Sequence, residues 1–245
     1  MTPSIDPGRI DELDDFFGVV EHRRKTLTVY SAAGDEGLID QFATRNATVS
    51  HRPLPEGSSG FVVVCEDGEF VGSIATEGLT RLLSPPLVRP WDETLISEGY
   101  RALFEALDET LFASFDRRQL LFTTREIEER AWRVGHGTLS VCFQRSSAMD
   151  AQVPVYERFA DETDLDIHVY VSDDWSPPEI EGVTAHAEAA DEIGTFWLLA
   201  FDGGGNDDQA CTLLAEERPE GFYGFWSYDP ELVTELLAYL KRTYG

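Results

Sequence analysis

The sequence predicts an α/β fold of mixed α+β character, in which mixed β-sheets containing hairpins are packed by helices. Three observations predict it. Apolar runs such as SGFVVVC (59–65) and TFWLLAF (195–201) are bounded by turn residues, as buried strands are. Asp67-Gly68 joins FVVVC to EFVGSIA with the chemistry of a tight hairpin. Between such runs lie segments whose apolar residues recur at three and four positions, the period of an amphipathic helix.

Taken in order, Asp6 and Pro7 provide an N-cap and an N1 proline, and Ile10, Leu13, Phe17 and Val20 then share one face. Arg23, Arg24 and Lys25 close that helix, where cations complement its dipole. LTVYSA (27–32) reads as a strand, GLIDQFATRN (37–46) as a short helix, and FVVVC with EFVGSIA as a hairpin. After the breaker-rich SPPLVRPWD comes a helix carrying Ile96, Tyr100, Leu103, Phe104 and Leu107. Thr123 and Glu126 form a capping box that opens REIEERAWRVG (125–135). Gly135-His136-Gly137 stops that helix, and TLSVCFQ (138–144) follows as a strand.

VPVYERFADE (153–162) is helical, DIHVYVS (166–172) is a strand, and DDWSPPEIEG (173–182) is a loop. TFWLLAF turns through GGGNDD into QACTLLAEE (209–217) as a second hairpin. An aromatic, turn-prone stretch, GFYGFWSY, leads to a last helix capped by Asp229 and Pro230, with Leu232, Val233, Leu236, Leu237 and Leu240 along it. The two halves, 1–112 and 113–245, look alike. TLTVYS matches DIHVYVS, the first hairpin matches the second, and RPWDETLISEGYRALFEAL matches GFWSYDPELVTELLAYL with Trp91 answering Trp226. An internal duplication of an α/β unit and generic α/β patterning both account for this.

Charge sets the broad class. Forty-six acids face nineteen bases, a formal net of −27, and only Lys25 and Lys241 are lysines. The acids are scattered along the whole chain rather than gathered in a tail. Such a surface over an ordinary core suits a cytoplasm at molar salt, where the Debye length falls to about 3 Å, and the reading is a salt-adapted, haloarchaeal-type cytoplasmic protein. The absence of a basic stripe argues against nucleic acid as partner. No apolar run approaches the roughly 20 residues of a membrane span, and the N-terminus lacks the regions of a signal peptide. Cys65, Cys142 and Cys211 lie far apart in apolar strands and read as small buried hydrophobes.

Catalytic and metal motifs are missing. The five histidines, His22, His51, His136, His168 and His186, accompany no nucleophile elbow, HExxH or cysteine cluster. His168 and His186 fall on separate elements, where structural roles are expected. DGGGNDD (202–208) lacks the spacing of a calcium loop and the helix of a phosphate loop, and reads as a hairpin turn. On REIEERAWRVG the pairs Glu126–Arg130 and Glu129–Arg133 predict a solvated, self-paired face. The aromatic cluster at Phe222–Tyr228 fits a core plug, a ligand cage or a docking patch. As a cage, Phe225 and Trp226 join Trp132, Trp175 and Trp197, with Gln144, Arg125 and Asp229 as placed polar groups.

Several stretches in order resemble the DICT sensory domain family: FTTREIEERAWRVGHGTLSVCFQ, VYERFA, HVYVSDDW, WLLAFDGGG, CTLLAEE and YGFWSYDPELV, together about residues 113–242. The shared positions are Thr124, Arg125, Ile127 and Glu128; Phe143 and Gln144; Asp174 and Trp175; and Gly224, Phe225, Trp226, Asp229 and Pro230. The resemblance implies a sensory input module of the kind found beside diguanylate cyclases and two-component proteins, and it turns Arg125 and Glu128 inward. No kinase transmitter, cyclase, receiver or helix-turn-helix motif is present, so a free-standing, non-enzymatic sensor is expected. It would need no cofactor and would act through a small ligand or a signalling protein such as a histidine kinase or regulator. A ligand-free adaptor and an unrecognised enzyme are the alternatives.

Overall fold

Alternation of apolar residues along the strands sorts them into two sheets, seen in a computed structural model that describes residues 10–21, 25–32, 47–76, 91, 107–109, 112–172, 180–187, 191–219 and 221–245. Helix α1 (Asp15–Glu21) precedes the smaller sheet, formed by β1 (Lys25–Ser31), β2 (Ala47–Pro53), β3 (Phe61–Glu66) and β4 (Glu69–Ala75) in the order β2-β1-β3-β4. The larger sheet draws on β5 (Phe112–Phe115), β6 (His136–Phe143), β7 (Asp164–Val171), β8 (Val183–His186), β9 (Phe196–Phe201), β10 (Cys211–Arg218) and β11 (Gly221–Ser227). Its order is β5-β11-β10-β9-β6-β7-β8. The remaining helices are α2 (Arg117–Val134), α3 (Ser146–Asp150), α4 (Val153–Glu162) and α5 (Pro230–Tyr244). The fold is the mixed α/β class that the sequence predicts.

Opposite faces of the larger sheet bury different helices. On one face Leu139, Val141, Leu199, Phe201, Leu213 and Trp226 meet α2 and α4 through Leu120, Phe122, Ile127, Tyr156 and Phe159. The same cluster takes in Leu27, Val29, Val62 and Val64 of the smaller sheet. On the other face Leu198, Ala200, Leu214 and Phe225 meet α1 and α5 through Phe16, Phe17, Val20, Leu232, Leu236 and Leu240. Helix α1, from the first half of the chain, therefore packs on a sheet built from the second.

The aromatic stretch before α5 is a strand rather than a turn. Phe222 and Trp226 point to one face and Phe225 to the other, as period-two alternation requires. Aromatics fit a pleated surface, and Gly224 lets the strand lie close to β10, since an added Cβ would overlap the Leu214 carbonyl and Ala215. Strands β2, β5 and β8 have no strong signal in sequence. The polar ATVSHRP of β2 is held by parallel pairing to β1 over seven register positions. Helix α2 starts six residues before the capping box expected at Thr123. The true box is Asp116 with Gln119: the Gln119 N–H donates to Asp116 Oδ1 at 2.8 Å, and the Asp116 N–H donates to Gln119 Oε1 at 3.0 Å. Gly135, at φ 75°, ends the helix in the left-handed region as expected.

Lys25 is buried at the start of β1 and donates to the Asp108 carbonyl, so it does not close the first helix. The helices expected at 37–46 and after Trp91, and the Asp6-Pro7 cap, lie outside the described residues apart from Trp91 and Leu107.

Strand pairing revises the match between the halves. The smaller sheet runs β2-β1-β3-β4 with β1 and β2 parallel and the other pairs antiparallel. The larger sheet contains β7-β6-β9-β10 with the same sequence of directions. TLTVYS of β1 thus answers TLSVCF of β6 in place of DIHVYVS of β7.

Trp226 is 1% exposed and fills the joint between β11 and α2. Its replacement by alanine is expected to destabilise the fold by roughly 3–5 kcal/mol, read as a lowered unfolding midpoint in molar KCl.

Candidate functional site

Helix α2 is unusual because its inward face is charged. Glu126 and Glu128 are each 1% exposed, and buried carboxylates survive only when paired and hydrogen-bonded. Glu128 pairs with Arg125 one turn earlier and accepts the Tyr156 hydroxyl at 2.9 Å. Arg125 also donates to Gln152 Oε1 at 2.6 Å. Burial works against the Arg125 charge, but Glu128 and Tyr156 together hold the guanidinium above its ordinary value. Burial, reinforced by Glu128, pushes the Tyr156 phenol well up, so it stays a donor.

Glu126 forms the second pair. Arg130 Nη2 donates to Glu126 Oε1 at 3.1 Å, and the Tyr228 hydroxyl donates to Oε2 at 3.0 Å. Burial pushes this carboxyl up against the pull of both donors, while Arg130 stacks 4.4 Å from the Tyr228 ring and reaches the Asp208 carbonyl at 3.2 Å. The solvated face expected from Glu126–Arg130 and Glu129–Arg133 is thus only half right. Glu129–Arg133, at 2.7 Å, faces outward with Arg133 42% exposed, and Glu126–Arg130 is in the core.

Beside the first pair opens a cavity of about 320 Å³, between α2, the end of β6, the α3–α4 turn and β9. This size lies at the lower end for small-molecule sites. Arg125, Glu128, Gln144 and Trp197 all line it. Trp197 is pinned there: its indole N–H donates to Thr124 Oγ1 at 3.1 Å, and Phe222 meets it edge-on at 5.9 Å. Gln144 donates to the Thr195 carbonyl at 3.1 Å, which holds it at the strand end. Apolar walls come from Leu121, Val141, Phe143 and Leu199.

The other expected residues fall elsewhere. Trp132 packs edge-on against Phe159 at 5.3 Å and beside Trp91 at 5.7 Å, one turn beyond Glu128 along α2 and outside the cavity lining. Phe225 and Trp226 are buried in the two opposed cores, the plug arrangement. Asp229 caps α5 through a 2.9 Å bond from the Glu231 N–H. Trp175 lies outside the described residues. Sequence reading missed Arg117, whose guanidinium lies 5.6 Å from the Trp197 ring, and Arg145 at the mouth. Arg117 follows the Asp116 cap directly, so finding the true helix start would have placed it.

His168 and His186, expected apart, are brought together by the parallel β7–β8 pairing. Their rings share a 3.1 Å hydrogen bond, and Asp166 reaches the other nitrogen of His168 at 3.2 Å. Burial, then His168, lowers His186 from its ordinary value. Among the described residues no group of three or more His, Cys, Asp or Glu could hold a metal. No described helix is long and apolar enough to cross a membrane.

Residues 100–218 match the model of the DICT family, described as the sensory domain in diguanylate cyclases and two-component systems. The matched span begins before the motifs read from sequence and ends before Gly224–Pro230. No curated protein matches the chain. Among solved structures, a polyphosphate kinase from Porphyromonas gingivalis is similar at a TM-score of 0.34 and 11% identity. That alignment covers 98% of this chain and 49% of the kinase, so the chain spans about half the kinase's length.

Two outcomes follow for measurement. Glu128→Gln leaves Arg125 buried without its counter-charge and is expected to cost roughly 3–5 kcal/mol, whereas Arg125→Met with Glu128→Leu recovers most of it; thermal unfolding of the three proteins checks this. A histidine held below its unfolded value contributes stability that is present above about pH 6.5 and lost as pH falls through its folded value. His186→Asn is therefore expected to flatten the fall in unfolding midpoint between about pH 8 and 5.

Proposed function

We propose that the chain is a non-enzymatic sensory protein that reads a small molecule in the cavity beside α2 and passes the result to a signalling partner such as a histidine kinase or regulator. One observation carries this reading: every residue lining the cavity lies between Arg117 and Glu217, inside the span that matches a sensory family. The cavity joins apolar walls to a few fixed polar groups, the usual build of a binding site. Binding rather than chemistry is favoured because Glu128, the buried acid in its wall, is locked by two donors, Arg125 and Tyr156. The acid-rich, lysine-poor composition supports a salt-adapted, archaeal-type protein working in the cytoplasm. A second reading, a ligand-free adaptor, is favoured by Phe70 and Val71, which are 66% and 42% exposed on β4 at the edge of the smaller sheet.

Mass spectrometry of small molecules released on denaturing protein purified in molar KCl tests the choice. A stoichiometric compound, lost from Trp197→Ala that still folds, is the expected result; nothing released, with partner capture through β4 abolished by Phe70→Ser, would favour the adaptor. The salt-adapted reading predicts that the unfolding midpoint falls steeply as KCl is lowered from molar to dilute buffer. Equal midpoints in the two would overturn it.

A further inference from the structure

Charge at the cavity runs against the charge of the chain. The sequence has 46 acids to 19 bases, yet the cavity is lined by three arginines, Arg117, Arg125 and Arg145, against two glutamates, Glu128 and Glu217. Glu128 is consumed by Arg125 in the wall. Arg145 and Glu217 are 3.9 Å apart with side chains 72% and 42% exposed, too open and distant to neutralise one another firmly. Arg117 is the more telling residue. It stands in the first turn of α2, directly after the Asp116 cap, where the helix dipole by itself disfavours a cation. Its guanidinium lies over the face of Trp197 at 5.6 Å. A guanidinium stacked on a ring uses its π face and keeps its in-plane N–H donors for an oxyanion.

We infer that the cavity takes a small molecule with an oxyanion on an apolar body, the oxyanion held by Arg117 and Arg145 at the mouth and the body seated against Leu121, Phe143 and Trp197. This deepens the proposed sensory reading and rests on it. In molar salt, where the Debye length is about 3 Å, attraction over a distance vanishes. Preference for an anion must then come from cations in direct contact, as these two arginines are placed to provide. The oxyanion can be a carboxylate or a phosphate, and both meet the same forked donors.

The test uses three probes of one shape, 2-naphthoate, 2-naphthyl phosphate and the uncharged 2-naphthamide, titrated into the full chain in molar KCl with tryptophan fluorescence as readout. The expected result is that one or both oxyanions bind at least roughly ten-fold more tightly than the amide, the tighter of the two giving the class. Arg117→Gln with Arg145→Gln then brings the oxyanions down to the amide's affinity and leaves the amide unchanged, while Arg118→Gln alters nothing. Equal affinity for all three probes, or an equal loss in Arg118→Gln, would overturn the oxyanion assignment and leave the sensory reading standing. Binding of none would count against both.

Discussion

Helix α2 can dock only if two carboxylates are removed from water together with their partners, and the rest of the larger sheet is arranged around that constraint. Each ion on this face has a contact outside the helix. Arg125 and Glu128 reach Gln152 and Tyr156 at the start of α4. Glu126 reaches Tyr228 at the junction of β11 and α5, and Arg130 reaches the β9–β10 turn. An apolar helix face can slide over a sheet by a residue at modest cost. A face carrying two ion pairs with directional outside partners cannot, because any shift leaves a charge buried and unpaired.

That fixed position creates the cavity. With α2 held by charge at its middle, its first turn stands off the end of β6, and the gap is framed by Trp197 on one side and the α3–α4 turn on the other. Trp197 is itself anchored to α2 through Thr124. The same helix thus supplies the wall, orients the aromatic floor and projects Arg117 at the mouth. Arg117 belongs to, and Trp197 is bonded to, the element that ties α4, β11 and the β9–β10 turn together.

Repetition of strand order in the two sheets shows how the scaffold extends. The unit of one parallel and two antiparallel pairings occurs in both, and the larger sheet adds β8 at one edge and β11 and β5 at the other. In the second unit the segment between β6 and β7 contains α3 and α4, which complete the cavity. The histidine pair on β7 and β8 lies on the opposite face from α4, since Ile167 and Val169 belong to the core that α4 covers and His168 alternates with them.

Local chemistry made much of the molecule legible in the sequence. Apolar runs gave β3, β9 and β10, Asp67-Gly68 gave a hairpin, Asp229-Pro230 gave the start of α5, and Gly135 gave the end of α2. Arg125, Glu128, Gln144 and Trp197 were legible as cavity candidates, the inward turn of Arg125 and Glu128 through family resemblance. Four features were decided by tertiary structure alone: the polar strand β2, the burial of Glu126 with Arg130, the placing of Phe225 and Trp226 in opposed cores, and the meeting of His168 with His186. The physical reason is the same each time. Spacing along the chain fixes which residues share a face, but only packing decides whether that face meets water, a sheet or an opposite charge.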